Sequence, residues 1–210
     1  MLEAFTGRLK GFAESVAHAE FAYWVGSGVS RNRVPNVPTL VLRVIEHLRV
    51  RALASGGQRF ADALQAVLRL VVLSAEDAAK IDLNVTALSW PVIAQIRDQL
   101  VRRYSAMLDV TVDGESHDYL LWTAAETCEA YGRSGIQPDV GHLAIAILIL
   151  EGVASEIVTS NWDGLIENAV CALTGRPTKE TLGVVVKSQD LRDQPVISVL
   201  YKFHGCAVLA

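Results

Sequence analysis

The spacing of apolar and polar positions divides the chain into stretches of different kinds. Leu2 to Ala19 repeats its apolar residues at helical intervals. It runs into Phe21-Ala22-Tyr23-Trp24-Val25, an unbroken apolar run closed by Gly26, which is the pattern of a buried strand. From Thr39 to about Tyr131 the rhythm is helical throughout. Leu40, Val44, Ile45 and Leu48 share one face, as do Phe60, Leu64, Val67 and Leu68. Ser89-Trp90-Pro91 carries the signals of a helix start, a serine able to cap and a proline tolerated in the first turn, and predicts a helix to about Met107. A further helix is predicted over Tyr119–Tyr131.

Beyond this the pattern becomes alternating. Asp139 can cap a helix through Glu151, with Gly152 as its stop. Ala144 to Leu150 is apolar all round, which predicts burial between two layers. A strand Glu156–Thr159, a helix Gly164–Leu173 ended near Gly175, and strands Leu182–Lys187 and Val196–Phe203 follow. Strands alternating with helices predict an α/β fold with a mainly parallel sheet, interrupted by an all-helical insertion. The expected parts are residues 1–38 with the first strand and its glycine turn, residues 39–137 as the insertion, and residues 138–210 with the remaining strands and helices.

Composition narrows the partners. Hydrophobic residues make up 51% of the 210, and the mean hydropathy is +0.29. Yet the longest strictly apolar run, Leu143–Leu150, falls far short of the roughly 20 residues that cross a bilayer. Met1 to Lys10 lacks the apolar core of a signal peptide. The expected compartment is therefore the cytoplasm, and the apolar surplus points to a partner surface or to further parts of the domain. The formal charge of −4 offers no basic face for phosphate contacts, so direct nucleic-acid binding is not expected. Cys128, Cys171 and Cys206 are isolated, so neither a structural zinc site nor a disulfide framework is expected.

Three short segments carry candidate chemistry. Gly26-Ser27-Gly28-Val29-Ser30 follows the first strand, where backbone N–H groups can approach a pyrophosphate and a following helix start would add its dipole. Read alone, it is equally an ordinary strand-to-helix turn. Thr159-Ser160-Asn161-Trp162-Asp163 lies at the carboxyl end of a strand, the edge where ligands bind in open α/β sheets. Asn161 and Asp163 suit ribose hydroxyls there, and Asp163 can also cap the next helix. His204, beside Gly205 at another strand end, can present its imidazole as a general base. His18, His47, His117 and His142 show no metal-ligand spacing and read as structural or solvated.

In order and setting the three segments resemble the sirtuin family. Its fingerprints are a Gly-Ala-Gly-hydrophobic-Ser turn, a Thr-Gln-Asn-x-Asp turn and a His-Gly pair. Here they stand as Gly26–Ser30, Thr159–Asp163 and His204-Gly205, with Leu165-Ile166-Glu167 after the second. The likeness covers about Phe21–Pro38 and His142–Gly205. It implies a Rossmann-like sheet, NAD as substrate, and Asn161 and His204 as catalytic residues. It also implies that Gly26, Ser27, Gly28, Ser30, Thr159, Ser160, Asn161 and Asp163 hold the dinucleotide.

The departures from that pattern bear on activity. Asn36-Val37-Pro38-Thr39-Leu40 stands where deacylases carry Gly-Ile-Pro-Asp-Phe and a following arginine, with Asn36 replacing a glycine because both tolerate positive φ. Ser160 replaces a glutamine, and no four-cysteine zinc module follows His204-Gly205. These features resemble the bacterial and archaeal sirtuin-like proteins of antiphage defence, in which such a domain with a helical insertion depletes NAD. The implied activity is cleavage of the nicotinamide–ribose bond to nicotinamide and ADP-ribose. The implied partners are a second copy or a sensor, and the family's later strands are expected beyond the present segment. The alternatives are an NAD-dependent protein deacylase and a non-catalytic nucleotide sensor.

Overall fold

A computed structural model of the chain describes residues 7, 9–132, 135–192 and 198–208. The chain divides into two compact units, Met1–Val34 with Tyr131–Ala210, and Pro35–Ala130.

The first unit is a Rossmann-like α/β unit. Its helices are α1 (Lys10–Ala17), α8 (Val140–Leu150) and α9 (Leu165–Thr174). Its strands β1 (Ala22–Val25), β2 (Glu156–Thr159), β3 (Leu182–Val185) and β4 (Ser198–Lys202) form one sheet in the order β1-β2-β4-β3. All pairings are parallel. Parallel neighbours need crossover connections, and α9 supplies the one leaving β2. Ile157, Leu200 and Leu182 point to a common face, where Ala146 and Ile149 of α8 and Ile166, Ala169 and Val170 of α9 close the core. Each fully buried aliphatic side chain there contributes roughly 1.5–3 kcal/mol over its exposed state.

The second unit is helical. It contains α2 (Val37–Ala52), α3 (Gln58–Arg69), α4 (Ala75–Ala78), α5 (Ile93–Val101) and α6 (Tyr104–Leu108), and a π-helical turn at Leu120–Ala124. A further helix, α7 (Thr127–Gly132), lies at the change from this unit to the other. Leu40, Val44, Ile45 and Leu48 are buried on α2, and Phe60, Leu64 and Val67 on α3, while Leu68 is half-buried. Arg49 pins this layer. Its guanidinium donates to both carboxylate oxygens of Glu46 and to the carbonyl of Leu83, and Glu46 also accepts from the backbone N–H of Ala87. The Arg49 hydrogen bond, opposed by partial burial and helped by Ala87, holds the Glu46 carboxyl below the usual range.

Several elements differ from the sequence reading. The first helix covers only Lys10–Ala17, and most of the expected stretch before it lies outside the described residues. The run at Phe21–Val25 forms an edge strand, not a buried one, with Trp24 72% exposed. Asn36 does not take positive φ. At φ −87° it caps α2, its side chain accepting from the N–H of Thr39. Ser89 ends a short 3-10 turn at Ala87–Ser89 and starts no helix. The buried Trp90 indole is tied to the carbonyl of Asp82, which fixes the chain before α5 can begin at Ile93. The expected helix to Met107 breaks between α5 and α6 at Arg102-Arg103, and that over Tyr119–Tyr131 breaks at Glu126. The latter residue sits at φ +54°, the left-handed region. Helix α8 is not buried all round. Val140 is 82% and Ile147 50% exposed, because the sheet covers only the face bearing Ala146 and Ile149. β3 ends at Val185 and β4 at Lys202, and the expected start of the last strand at Val196 lies outside the described residues.

Candidate functional site

Register brings the three motifs together. Val25 pairs with Thr159, and Thr159 pairs with Lys202, so the strands β1, β2 and β4 end in one row. Gly26, Ser160 and Phe203 are the next residues along each strand. All three motifs therefore leave the sheet at its carboxyl edge, where the topology of an open parallel sheet favours ligands.

The turn after β1 is built by successive reverse turns. Val29 N–H donates to Gly26 O, Ser30 N–H to Ser27 O, and Arg33 N–H to Ser30 O. Residues 27–33 stay in turns, so no helix start lies directly behind the glycines to add its dipole. A Cβ added to Gly26 or Gly28 would meet nothing within 4 Å, so no group of the described chain requires glycine there. Ser30 alone of this segment is buried, at 1% exposure.

Asn161 is the hub. Its backbone N–H donates to the hydroxyl of the buried Thr159. Its side-chain Nδ2 donates to the carbonyl of Gly26 at 3.3 Å and to Oγ of Ser30 at 3.2 Å. Both amide hydrogens are thus directed at the glycine turn. Its Oδ1 is buried and has no hydrogen-bond partner among the described residues. A buried acceptor without a partner costs about 1–3 kcal/mol, and a donor supplied from outside the chain removes that cost.

Ser30 leads on to a residue that sequence reading had set aside. Its hydroxyl lies 3.0 Å from Nε2 of His142, and Nδ1 of that ring lies 2.8 Å from Oδ1 of Asp139. His142 is fully buried, which decides between the structural and solvated readings in favour of the first. Asp139 is the N-cap of α8, accepting from the backbone N–H groups of Gly141 and His142. Partial burial works against the Asp139 charge, but the His142 ring and these N–H groups outweigh it and hold the carboxyl below the usual range. One set of proton positions satisfies the chain of contacts: Asn161 Nδ2–H to Ser30, Ser30 O–H to His142 Nε2, and His142 Nδ1–H to Asp139. Arg33 Nε, 3.7 Å from Asp139, ends the series. A serine, histidine and aspartate in sequence also match a nucleophile with its base. Ser30 argues against that use, since its Oγ is buried and already accepts from Asn161.

The remaining motif residues divide by environment. Asp163 is buried and precedes Gly164, the N-cap of α9, and its Oδ1 accepts from the N–H of Leu165 at the start of that helix. Ser160 is half-buried. His204 is exposed, its imidazole stacked edge-on against Phe203 at 4.4 Å, and no hydrogen bond joins it to Asn161. Its backbone is fixed instead. The indole of Trp162 donates to the carbonyl of His204, and Ala207 N–H donates to Trp162 O, so the two motifs are tied together by the residue between Asn161 and Asp163. Gly205 takes φ +92°, a conformation side chains rarely adopt, which accounts for the glycine after the histidine.

Lys202 supports this edge from below. It is 1% exposed, its Nζ donates to the carbonyl of Asp163, and it pairs with Glu167 at 2.8 Å. Burial alone would lower its pKa, but Glu167, with Cys206 and Asp163, outweighs that and raises it. Among the described residues no group of three His, Cys, Asp or Glu side chains is placed to hold a metal ion. No helix of the described residues is long and apolar enough to cross a membrane.

Fold and site together define a Rossmann-like α/β protein whose polar cluster lies at the carboxyl edge of a parallel sheet. No protein-family model, curated protein or solved structure matches the chain.

Proposed function

We propose that this chain is a sirtuin-like NAD hydrolase, cleaving the nicotinamide–ribose bond: NAD⁺ and water give nicotinamide, ADP-ribose and a proton. The observation that carries the reading is the unpartnered, buried Oδ1 of Asn161 beside the glycine turn. A ribose hydroxyl is a donor of the right kind for it. The open space at Gly26 and Gly28 suits close approach by a pyrophosphate. In this reading the turn from Gly26 to Ser30, with Ser27 and Gly28, binds the pyrophosphate. Thr159 and Ser160 border the ribose, and Asp163 keeps the turn in place.

The bond breaks through an oxocarbenium-like transition state, as in glycoside hydrolysis. The positive ring makes nicotinamide a good leaving group, so no acid is required to expel it. Asn161 orients the ribose and the water. His204 takes a proton from the water or a ribose hydroxyl, and its exposed ring closes on the site when substrate is bound, since catalytic hydrogen bonds often tighten only in the complex. We assign the protein to the cytoplasm and to antiphage defence by NAD depletion. A second copy or a sensor protein as partner is supported by the exposed apolar side chains of Val140, Ile147 and Leu150 on α8.

One observation favours a non-catalytic NAD sensor instead: the His204 imidazole has no link to the Asn161 cluster. Following nicotinamide release and NAD binding together decides between them. Turnover that falls by about 10²–10⁴-fold in His204→Ala supports hydrolysis. NAD binding with no nicotinamide release by the wild-type chain supports the sensor.

A further inference from the structure

The helical unit holds a cleft of about 470 Å³ that the NAD reading does not use. This is within the usual range for small-molecule sites. One wall is a single face of α2, from Thr39 through Leu42, Arg43, Glu46 and His47 to Arg51. The other is formed by Leu88, Ala124 and Glu126. The lining is mainly apolar, with Leu88 68% and Val50 50% exposed, and a few polar side chains lie between the apolar ones.

The charges are unevenly committed. Glu46 is tied to Arg49 and the N–H of Ala87. Arg43 holds the carbonyl of Ala125 and lies 3.6 Å from Glu126. Arg51 has no carboxylate partner among the described residues; its guanidinium rests over the ring of Phe60 at 4.6 Å. It lies eight residues, roughly 12 Å, along the helix from Arg43. Between them, on the same face, are Glu46 and His47, whose Nε2 is 2.8 Å from the hydroxyl of Tyr119. The far rim is a π-helical turn followed by Glu126 in the left-handed region, two irregularities that gather at binding sites.

We propose that this cleft binds a small phosphorylated sugar or nucleoside, with its phosphate on Arg51 and its hydroxyl-bearing body along Glu46 and His47. A planar guanidinium held by an aromatic ring and lacking a carboxylate suits a phosphate, which it can grip bidentately. The mainly apolar lining suits the flat base or ring of such a molecule, and Glu46 and His47 stand beside it for the hydroxyls. The site is independent of the NAD reading, so either can fail alone.

Calorimetric titration of the full chain with adenosine 5′-monophosphate, ribose 5-phosphate, adenosine and inorganic phosphate tests it. One molar equivalent of adenosine 5′-monophosphate or ribose 5-phosphate is expected to bind, with the stronger of the two defining the body. Arg51→Gln is expected to weaken that binding by about tenfold or more, the loss of one charge-assisted contact. Leu88→Asp, which sets a carboxylate at the rim, weakens it also. Arg69→Gln, at an exposed arginine elsewhere in the unit, leaves it unchanged. Both tested side chains are exposed, so unaltered melting curves accompany these losses. Binding that survives Arg51→Gln, or no binding of either phosphate ester at millimolar concentration, overturns the proposal.

Discussion

Nε2 of His142 lies 3.0 Å from the hydroxyl of Ser30, a contact across 112 residues of sequence. Through Ser30 it fixes the direction in which Asn161 presents its amide. With His142 in place, Nδ2 of Asn161 faces inward and Oδ1 is left for a donor from outside. In the proposed reaction His142 is thus a positioning residue.

Replacing it tests that role. In His142→Ala the kcat for NAD cleavage is expected to fall by about 10²-fold, the scale of a displacement near 1 Å at a reacting group. The KM for NAD stays within a few-fold, because the glycine turn is intact. Steady-state kinetics separate the two, and a kcat within twofold of wild type contradicts the assignment.

The capping carboxylate gives a pH dependence of defined sign. The folded-state pKa of Asp139 is depressed, so its contribution to stability is present above the unfolded value of about 3.9 and is lost as pH falls through the folded one. Thermal melts between about pH 5 and pH 2 should therefore show a smaller acid-side loss in Asp139→Asn than in the wild type. Asparagine still caps the helix, so the two curves converge at low pH.

Lys202 and Glu167 form a buried pair, and removing one partner leaves the other charged without a counterion. Lys202→Met is expected to cost about 3–5 kcal/mol in denaturant melts, and the double change with Glu167→Leu to recover most of it. Because the folded-state pKa of Lys202 is raised, its contribution is full below the unfolded value of about 10.4 and is lost as pH rises through the folded one. Equal losses in the single and double variants would contradict this pairing.

In the helical unit, burial separates two similar residues of α2. Ile45 is fully buried and Val50 half exposed to solvent. Ile45→Ala should cost about 2–5 kcal/mol, and Val50→Ala under about 0.5 kcal/mol, by chemical denaturation.

Local patterns disclosed much of this. The alternation after Asp139 foretold β2, α8 and α9 and the capping by Asp139, since periodicity and caps are properties of neighbouring residues. The motifs at Gly26, Asn161 and His204 were also visible, but their meeting at one edge depends on strand register. His142 was missed because its partner Ser30 is remote in sequence, and its helical setting gave no sign of that contact. Trp162 was passed over for the same reason, its bond to the His204 carbonyl being a tertiary one. The false helix start at Ser89 shows the reverse: correct capping chemistry was overruled by the anchoring of Trp90. The open face of α8 could not be read from a run that is apolar on every side.

The central claim is that water, positioned by Asn161, replaces nicotinamide on the ribose. Mass spectrometry of the products formed from NAD in ¹⁸O-labelled water tests it most directly, with Asn161→Ala alongside. The account predicts ADP-ribose carrying one solvent oxygen at the anomeric carbon, formed about 10²–10⁴-fold more slowly by Asn161→Ala. No release of nicotinamide and ADP-ribose by the wild-type chain, or turnover by Asn161→Ala within a few-fold of wild type, would contradict it.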